Sequence, residues 1–153
     1  MSEITVASIT LPAFYDKSRN LSQLMTWMTR AADAGADLVV FPEQILQGYL
    51  PDTLNWSADA VTWQMAQAEV IPQGESVQAL LQQAAQLGLH LVFGMTERHP
   101  DHDEVLFNSA VLAGPEGLIG VYRKAVSYTH LRAHDTRSNV VCRLLLEKKK
   151  GGG

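Results

Sequence analysis

The chain has 153 residues, of which 46% are hydrophobic and 18% charged, with a formal net charge of -4. That is enough for one domain with a buried core and too short for two ordinary ones. No apolar run approaches the roughly 18 residues of a membrane span, "MSEITVASIT" lacks the basic and apolar parts of a secretory signal, and a single cysteine excludes an internal disulfide framework, which fits a cytoplasmic protein.

The charge is unevenly spread. Residues 1–124 hold six Lys/Arg against fourteen Asp/Glu, whereas residues 125–153 hold six against two. So sharp a shift marks a boundary near Ala125, where a basic tail or a segment of different origin begins.

In chain order, "ITVASITLP" alternates and is rich in β-branched residues, which predicts a strand from about Ile4 to Leu11, stopped by Pro12. Leu21, Leu24, Met25, Met28, Ala31 and Ala32 then recur at helical spacing from a capping Asn20, with Gly35 where a helix commonly ends. "DLVVFP" is an unbroken apolar run, as expected of a strand buried on both faces between helices. Ser57 is placed to cap a short helix through Ala68, and Gly74 and Gly88 bracket another that carries Val77, Leu80, Leu81, Ala84 and Ala85. "HLVFGMTE" predicts a third buried strand, and "LFNSAVLAGPEGLIGVYRK" a hairpin turning at Gly114-Pro115-Glu116-Gly117. Alternating strands and helices predict an α/β fold.

Two residues stand where such folds do chemistry. Glu43 follows the buried strand in "DLVVFPEQILQGY", at the carboxyl end where α/β sheets place ligands. Partly desolvated there, its pKa would be raised and it could act as a general base; a solvated or capping glutamate is the other reading. Lys124 ends the second hairpin strand in "GVYRK", and taken alone it reads as a solvated strand terminus. "ERHPDHDE" gathers His99, Asp101, His102, Asp103 and Glu104, and reads first as a polar loop around a proline and only second as a metal site. Trp27, Trp56 and Trp63 read as core or interface residues. Nothing points to nucleic acid, since the region around Glu43 is acidic and half of the basic residues sit in the tail.

Together, "LVVFPEQILQGY" and "FNSAVLAGPEGLIGVYRK" resemble the amino-terminal half of the nitrilase, or carbon-nitrogen hydrolase, superfamily. The resemblance spans residues 4–124 in order and includes "GADLVVFPE", "VFGMTER" and "FNSAVL". It implies half of an α-β-β-α sandwich and a Glu-Lys-Cys triad that uses neither cofactor nor metal. Glu43 would be the general base, Lys124 the cation stabilising the oxyanion, and a cysteine the nucleophile that forms a thioester. The substrate would be a small linear non-peptide amide, a carbamoyl compound or a nitrile, with amide or carbamoyl hydrolysis favoured. The parent would be a homo-oligomer with no nucleic-acid or membrane partner. The competing reading is a non-catalytic α/β module kept for binding or assembly.

The pattern departs from the family after Lys124. The family continues with a histidine-leucine type of sequence and later a Cys-aromatic-acidic strand, whereas here Ala125-Val126-Ser127 follow the lysine and Arg143-Leu144 follow Cys142. "SYTHLRAHDTRSNVVC" brings His130, His134, Asp135 and Cys142 together, and at face value reads as a Cys/His or metal site. Yet "SYTHLRAH" and "VCRLLLE" resemble translated sequencing-library adapter, "DTRSNV" falls where a sample index would lie, and "KKKGGG" is what runs of A and then G would encode. The expectation is therefore a domain fragment over residues 1–125, truncated before its nucleophile and inactive, with residues 126–153 a non-native, unstructured read-through.

Overall fold

A computed structural model describes residues 3–49, 58–103 and 105–124. Its strands are β1 (Val6–Ser8), β2 (Leu38–Val40), β3 (His90–Arg98), β4 (Leu106–Gly114) and β5 (Gly117–Lys124), and its helices are α1 (Lys17–Asp33), α2 (Ala58–Gln67) and α3 (Glu75–Leu87). The strands form one sheet in sequence order. β1, β2 and β3 run parallel, while β3, β4 and β5 run antiparallel.

The expected α/β class holds, and the layering follows from side-chain alternation. Val39, Leu91, Phe93, Met95, Val111 and Ala113 point to one face, where Leu24, Met28 and Ala31 of α1 and Val77, Leu80, Leu81 and Ala84 of α3 complete the core. The opposite face carries the alternate residues, and there Leu38 and Val40 are only half-buried. "DLVVFP" was expected to be covered on both sides; among the described residues α1 and α3 cover one. α1 and α3 make one helical layer on the sheet, while α2 meets the end of β3, where Gln64 Nε2 donates to Thr96 Oγ1.

Local chemistry sets the element ends. α1 starts a turn earlier than expected, because Asp16 holds an extended conformation and its Oδ1 accepts from the Arg19 N–H at 2.9 Å. Asn20, expected as the cap, is instead buried in the first turns. Its Oδ1 accepts from the Phe14 N–H at 2.9 Å, and its Nδ2 donates to the carbonyls of Phe14 at 2.7 Å and Leu46 at 3.2 Å. β1 is shorter than the predicted Ile4–Leu11, because its partner β2 is only three residues long and the ladder ends at the Ile9 N–H to Val40 carbonyl bond of 2.9 Å.

α3 lies between its two predicted glycines and closes on Gly88 at φ 67. Its cap comes from a distance: Glu69 Oε2 accepts from the N–H groups of Ser76 at 3.0 Å and Val77 at 3.2 Å, while Oε1 pairs with Lys17 Nζ at 2.7 Å. Ser57, Trp56, Glu104 and the whole of 125–153, with His130, His134, Asp135 and Cys142, lie outside the described residues.

Candidate functional site

The segment after β2 does not leave the sheet. The Phe41 N–H donates to the Val92 carbonyl at 2.8 Å, the Gly94 N–H to the Pro42 carbonyl at 3.3 Å, and the Leu46 N–H to the Gly94 carbonyl at 3.3 Å. So close an approach requires a glycine at 94. A β-carbon there would lie 2.5 Å from the Gln44 nitrogen and 2.6 Å from Glu43 Cα, inside any real contact distance.

Next, Gln44 turns the chain with φ 55, a left-handed conformation that costs a residue with a β-carbon roughly 1–2 kcal/mol. Its side chain is held in compensation, with Oε1 accepting from Thr96 Oγ1 at 2.6 Å. Gln47, fully buried, then acts as a peptide unit. Its Oε1 accepts from the Thr96 N–H at 2.9 Å and its Nε2 donates to the Thr96 carbonyl at 3.4 Å, so the edge of β3 beyond β2 is hydrogen-bonded at Thr96 by a side chain, and next to it by the Glu69 carbonyl, which accepts from the Arg98 N–H at 2.9 Å. Glu43 is thereby fixed at the carboxyl end of β2.

Lys124 reaches the same place from the hairpin. Its Nζ lies 3.2 Å from Glu43 Oε1. Asn108, directly across the ladder from Lys124, donates its Nδ2 to the same oxygen. A β-bulge makes this register: Leu112 pairs with Gly120 but Ala113 with Leu118, leaving Ile119 as the extra residue. Counted back from the Gly114–Gly117 pair without that bulge, Arg123 would stand opposite Asn108 and Lys124 would point to the helix side.

Glu43, Asn108 and Lys124 line a concavity of about 350 Å³ on the sheet face away from α1 and α3, walled by Phe41, Val92 and Tyr122 among others. Burial pushes the Glu43 carboxyl up, but hydrogen bonds from Asn108, Lys124 and Tyr49 and the lysine's charge together outweigh it, and the group sits below its ordinary 4.5. This corrects the expectation of a raised pKa: desolvation is present, as foreseen, but three donors converge on the carboxylate. The Tyr49 phenol is pushed above its ordinary value by burial and then by the bonded Glu43 carboxylate.

The other candidates among the described residues do not join this site. In the "ERHPDHDE" loop the His99 ring lies 4.8 Å from that of His102, His99 Nδ1 accepts from the Asp101 N–H at 3.0 Å, and Asp103 pairs with Arg98 at 3.7 Å. Among the described residues, no group of three or more His, Cys, Asp or Glu is arranged to hold a metal ion, and no helix is long and apolar enough to cross a membrane. Trp27 packs against the core, and Trp63 meets Tyr15 edge to face at 5.3 Å. Asn108, Tyr49, Gly94 and Gln47 were not singled out from sequence. Two of them gave a signal: Asn108, as an amide inside a largely apolar strand, and Gly94, as a lone glycine inside one.

The carbon-nitrogen hydrolase family profile matches residues 5–142, so the match runs past the boundary expected at 125 and ends on Cys142. A nitrilase of Pyrococcus abyssi is 36% identical over 113 residues, 74% of this chain and 39% of its own length. An (R)-stereoselective amidase of Pseudomonas is 34% identical over 116 residues, 76% of this chain and 36% of its own. Among solved structures, Saccharomyces cerevisiae Nit3, a member of branch 10 of the nitrilase superfamily, superposes with a TM-score of 0.65 at 26% identity, covering 79% of this chain and 44% of that one. The chain therefore spans less than half the length of these relatives.

Proposed function

We propose, on the premise that the chain belongs to the carbon-nitrogen hydrolase family, that it is the amino-terminal part of an enzyme hydrolysing small linear non-peptide amides or carbamoyl compounds. The observation that carries the reading is the meeting of Glu43 and Lys124. Separated by 81 residues in the chain, they come within 3.2 Å over a concavity on the sheet.

Each group has a defined task in acyl transfer. Glu43, with its pKa lowered, is ionised at neutral pH and can take the proton of a cysteine thiol as the sulfur attacks the carbonyl carbon. The C–S bond forms and the π pair moves onto oxygen, where the Lys124 ammonium faces the new negative charge. Collapse of the tetrahedral intermediate breaks the C–N bond, and Glu43 returns the proton to the departing amine. Water then attacks the thioester, with Glu43 again accepting a proton, and the acid and free thiol are released.

The nucleophile belongs, on this reading, to native sequence that would follow residue 125, so the chain as given is inactive. Relatives of both chemistries match, an amidase and a nitrilase among them; the amide or carbamoyl reading is preferred as the broader activity. A non-catalytic module that keeps the pair for binding is the second reading.

The test has two parts. The 153-residue chain and Cys142→Ala are assayed for ammonia release from simple linear amides, with no activity expected from either; activity that Cys142→Ala abolishes would overturn this account of the tail. The genomic continuation after codon 125 is then recovered. A cysteine-bearing strand beyond Lys124, with Glu43→Gln lowering kcat/KM of the complete enzyme by about 10²–10⁴-fold, is the expected result. A continuation without a cysteine would favour the binding module.

A further inference from the structure

Among the described residues β5 is an edge strand, bonded to β4 alone, and it carries the lysine at its last position. Its turn cannot set where that lysine points, because the bulge at Ile119 lies between the turn and Lys124 and changes the register by one residue. A slip of one residue exchanges the faces of Arg123 and Lys124, since alternate residues of a strand point to opposite sides. Something beyond the bulge must hold the register.

The helix-side face supplies it. Arg123 Nε lies 2.8 Å from Glu97 Oε2 and its Nη2 lies 2.6 Å from Oε1, a two-point fork. Ser109 Oγ donates to the same Oε2 at 2.7 Å, and the guanidinium lies over the Phe107 ring at 4.8 Å. The Glu97 side chain is 1% exposed, and it faces away from the Glu43 concavity, so the proposed chemistry makes no use of it. Glu97 comes from β3, Phe107 and Ser109 from β4, and Arg123 from β5. One polar row thus ties three strands at the end where Lys124 emerges on the other side.

We infer that Glu97, Ser109 and Arg123 form a positioning clamp for Lys124, fixing the bulged edge strand in the one register that lays the lysine ammonium against Glu43. A planar guanidinium gripping both carboxylate oxygens sets strand position and orientation together, which a single-point lysine contact does not. The inference rests on Glu43 and Lys124 being the working pair of the proposed hydrolase. Its test is read from the pair's geometry, and therefore fails independently of the amide assay.

The side-chain carboxyl of Glu43 is titrated by ¹³C NMR in the 153-residue chain, in Lys124→Met and in Arg123→Lys. Lys124→Met gives the upward shift that follows loss of the partner. Arg123→Lys keeps the charge but removes the fork; the expected result is dispersed β3 and β4 amide resonances with the Glu43 midpoint raised by at least about half of the Lys124→Met shift. An Arg123→Lys chain that melts at lower temperature while Glu43 titrates as in the parent would make the row merely structural and overturn the assignment. Should Arg123→Lys not fold, the neutral pair Glu97→Gln with Arg123→Gln, which strands no buried charge, is read by the same criterion. Loss of the fold in both variants also overturns it.

Discussion

Gly94→Ala places a single methyl group where the backbone carrying Glu43 crosses β3. The added carbon would stand 2.5 Å from the Gln44 nitrogen, 2.6 Å from Glu43 Cα and 2.8 Å from the Glu43 carbonyl carbon, against ordinary contacts of 3.4–4 Å. All three neighbours are backbone, so no rotamer change relieves the clash, and the segment must retreat by roughly 1 Å, at the 1–3 kcal/mol typical of overpacking. The retreat also strains the two 3.3 Å hydrogen bonds that Gly94 makes with Pro42 and Leu46. Alanine returns a few tenths of that through its lower backbone entropy, which leaves a net loss of about 2 kcal/mol. The same movement carries Glu43 away from a Lys124 ammonium now at 3.2 Å, so the carboxyl should titrate higher. Urea denaturation gives the first quantity and ¹³C NMR of Glu43 the second. A variant within about 0.5 kcal/mol of the parent, with an unshifted Glu43, would refute the claim that Gly94 seats the site.

Three further outcomes are expected. Because the folded Glu43 pKa lies below 4.5, its pairing adds stability that is fully present above that value and lost as pH falls through the lower folded value; Lys124→Met and Asn108→Ala should therefore lose stability at neutral pH and converge on the parent in acid, whereas a pH-independent difference in urea midpoints would contradict this. Gln47→Leu removes the acceptor of the buried Thr96 N–H, and should cost about 2 kcal/mol by urea denaturation; a loss under 0.5 would mean that the edge of β3 is satisfied some other way. Leu112, 36% exposed on β4, and Val6, 53% exposed on β1, leave apolar surface on the sheet face away from α1 and α3, so sedimentation should detect concentration-dependent association that Leu112→Lys weakens, and a strictly monomeric parent would argue against it.

The elements were legible wherever local chemistry decides them. Gly74 and Gly88 bracket α3 because one begins the helix and the other ends it in the left-handed region, and the Gly114–Gly117 turn announces the hairpin. The cap of α1 was misassigned because Asp16 and Asn20 are both good caps, and only the tertiary bonds of Asn20 to Phe14 and Leu46 tell them apart. Glu43 and Lys124 were legible as strand-end charges, but their electrostatics were not. The sign of the Glu43 shift depends on Asn108 and Tyr49, which reach it from β4 and from beyond the turn, and no local pattern encodes that convergence. Nor does the hairpin sequence mark the bulge: Ile119 is one more apolar residue in "GLIGVY", yet it decides which face Lys124 takes.

The two candidate catalytic groups arrive by unlike routes, one after a parallel strand and the other at the end of an antiparallel edge strand, and β3 is the element common to both. On one face its Gly94 admits the backbone that presents Glu43. Three residues on and on the other face, its Glu97 grips the arginine beside Lys124. Glu97 itself faces away from the concavity, yet through it and Gly94 the buried strand references both members of the pair to a single rigid line, the longest ladder in the sheet. A separation of 81 residues in the chain becomes 3.2 Å because each partner is located against that strand and neither is located by its own loop.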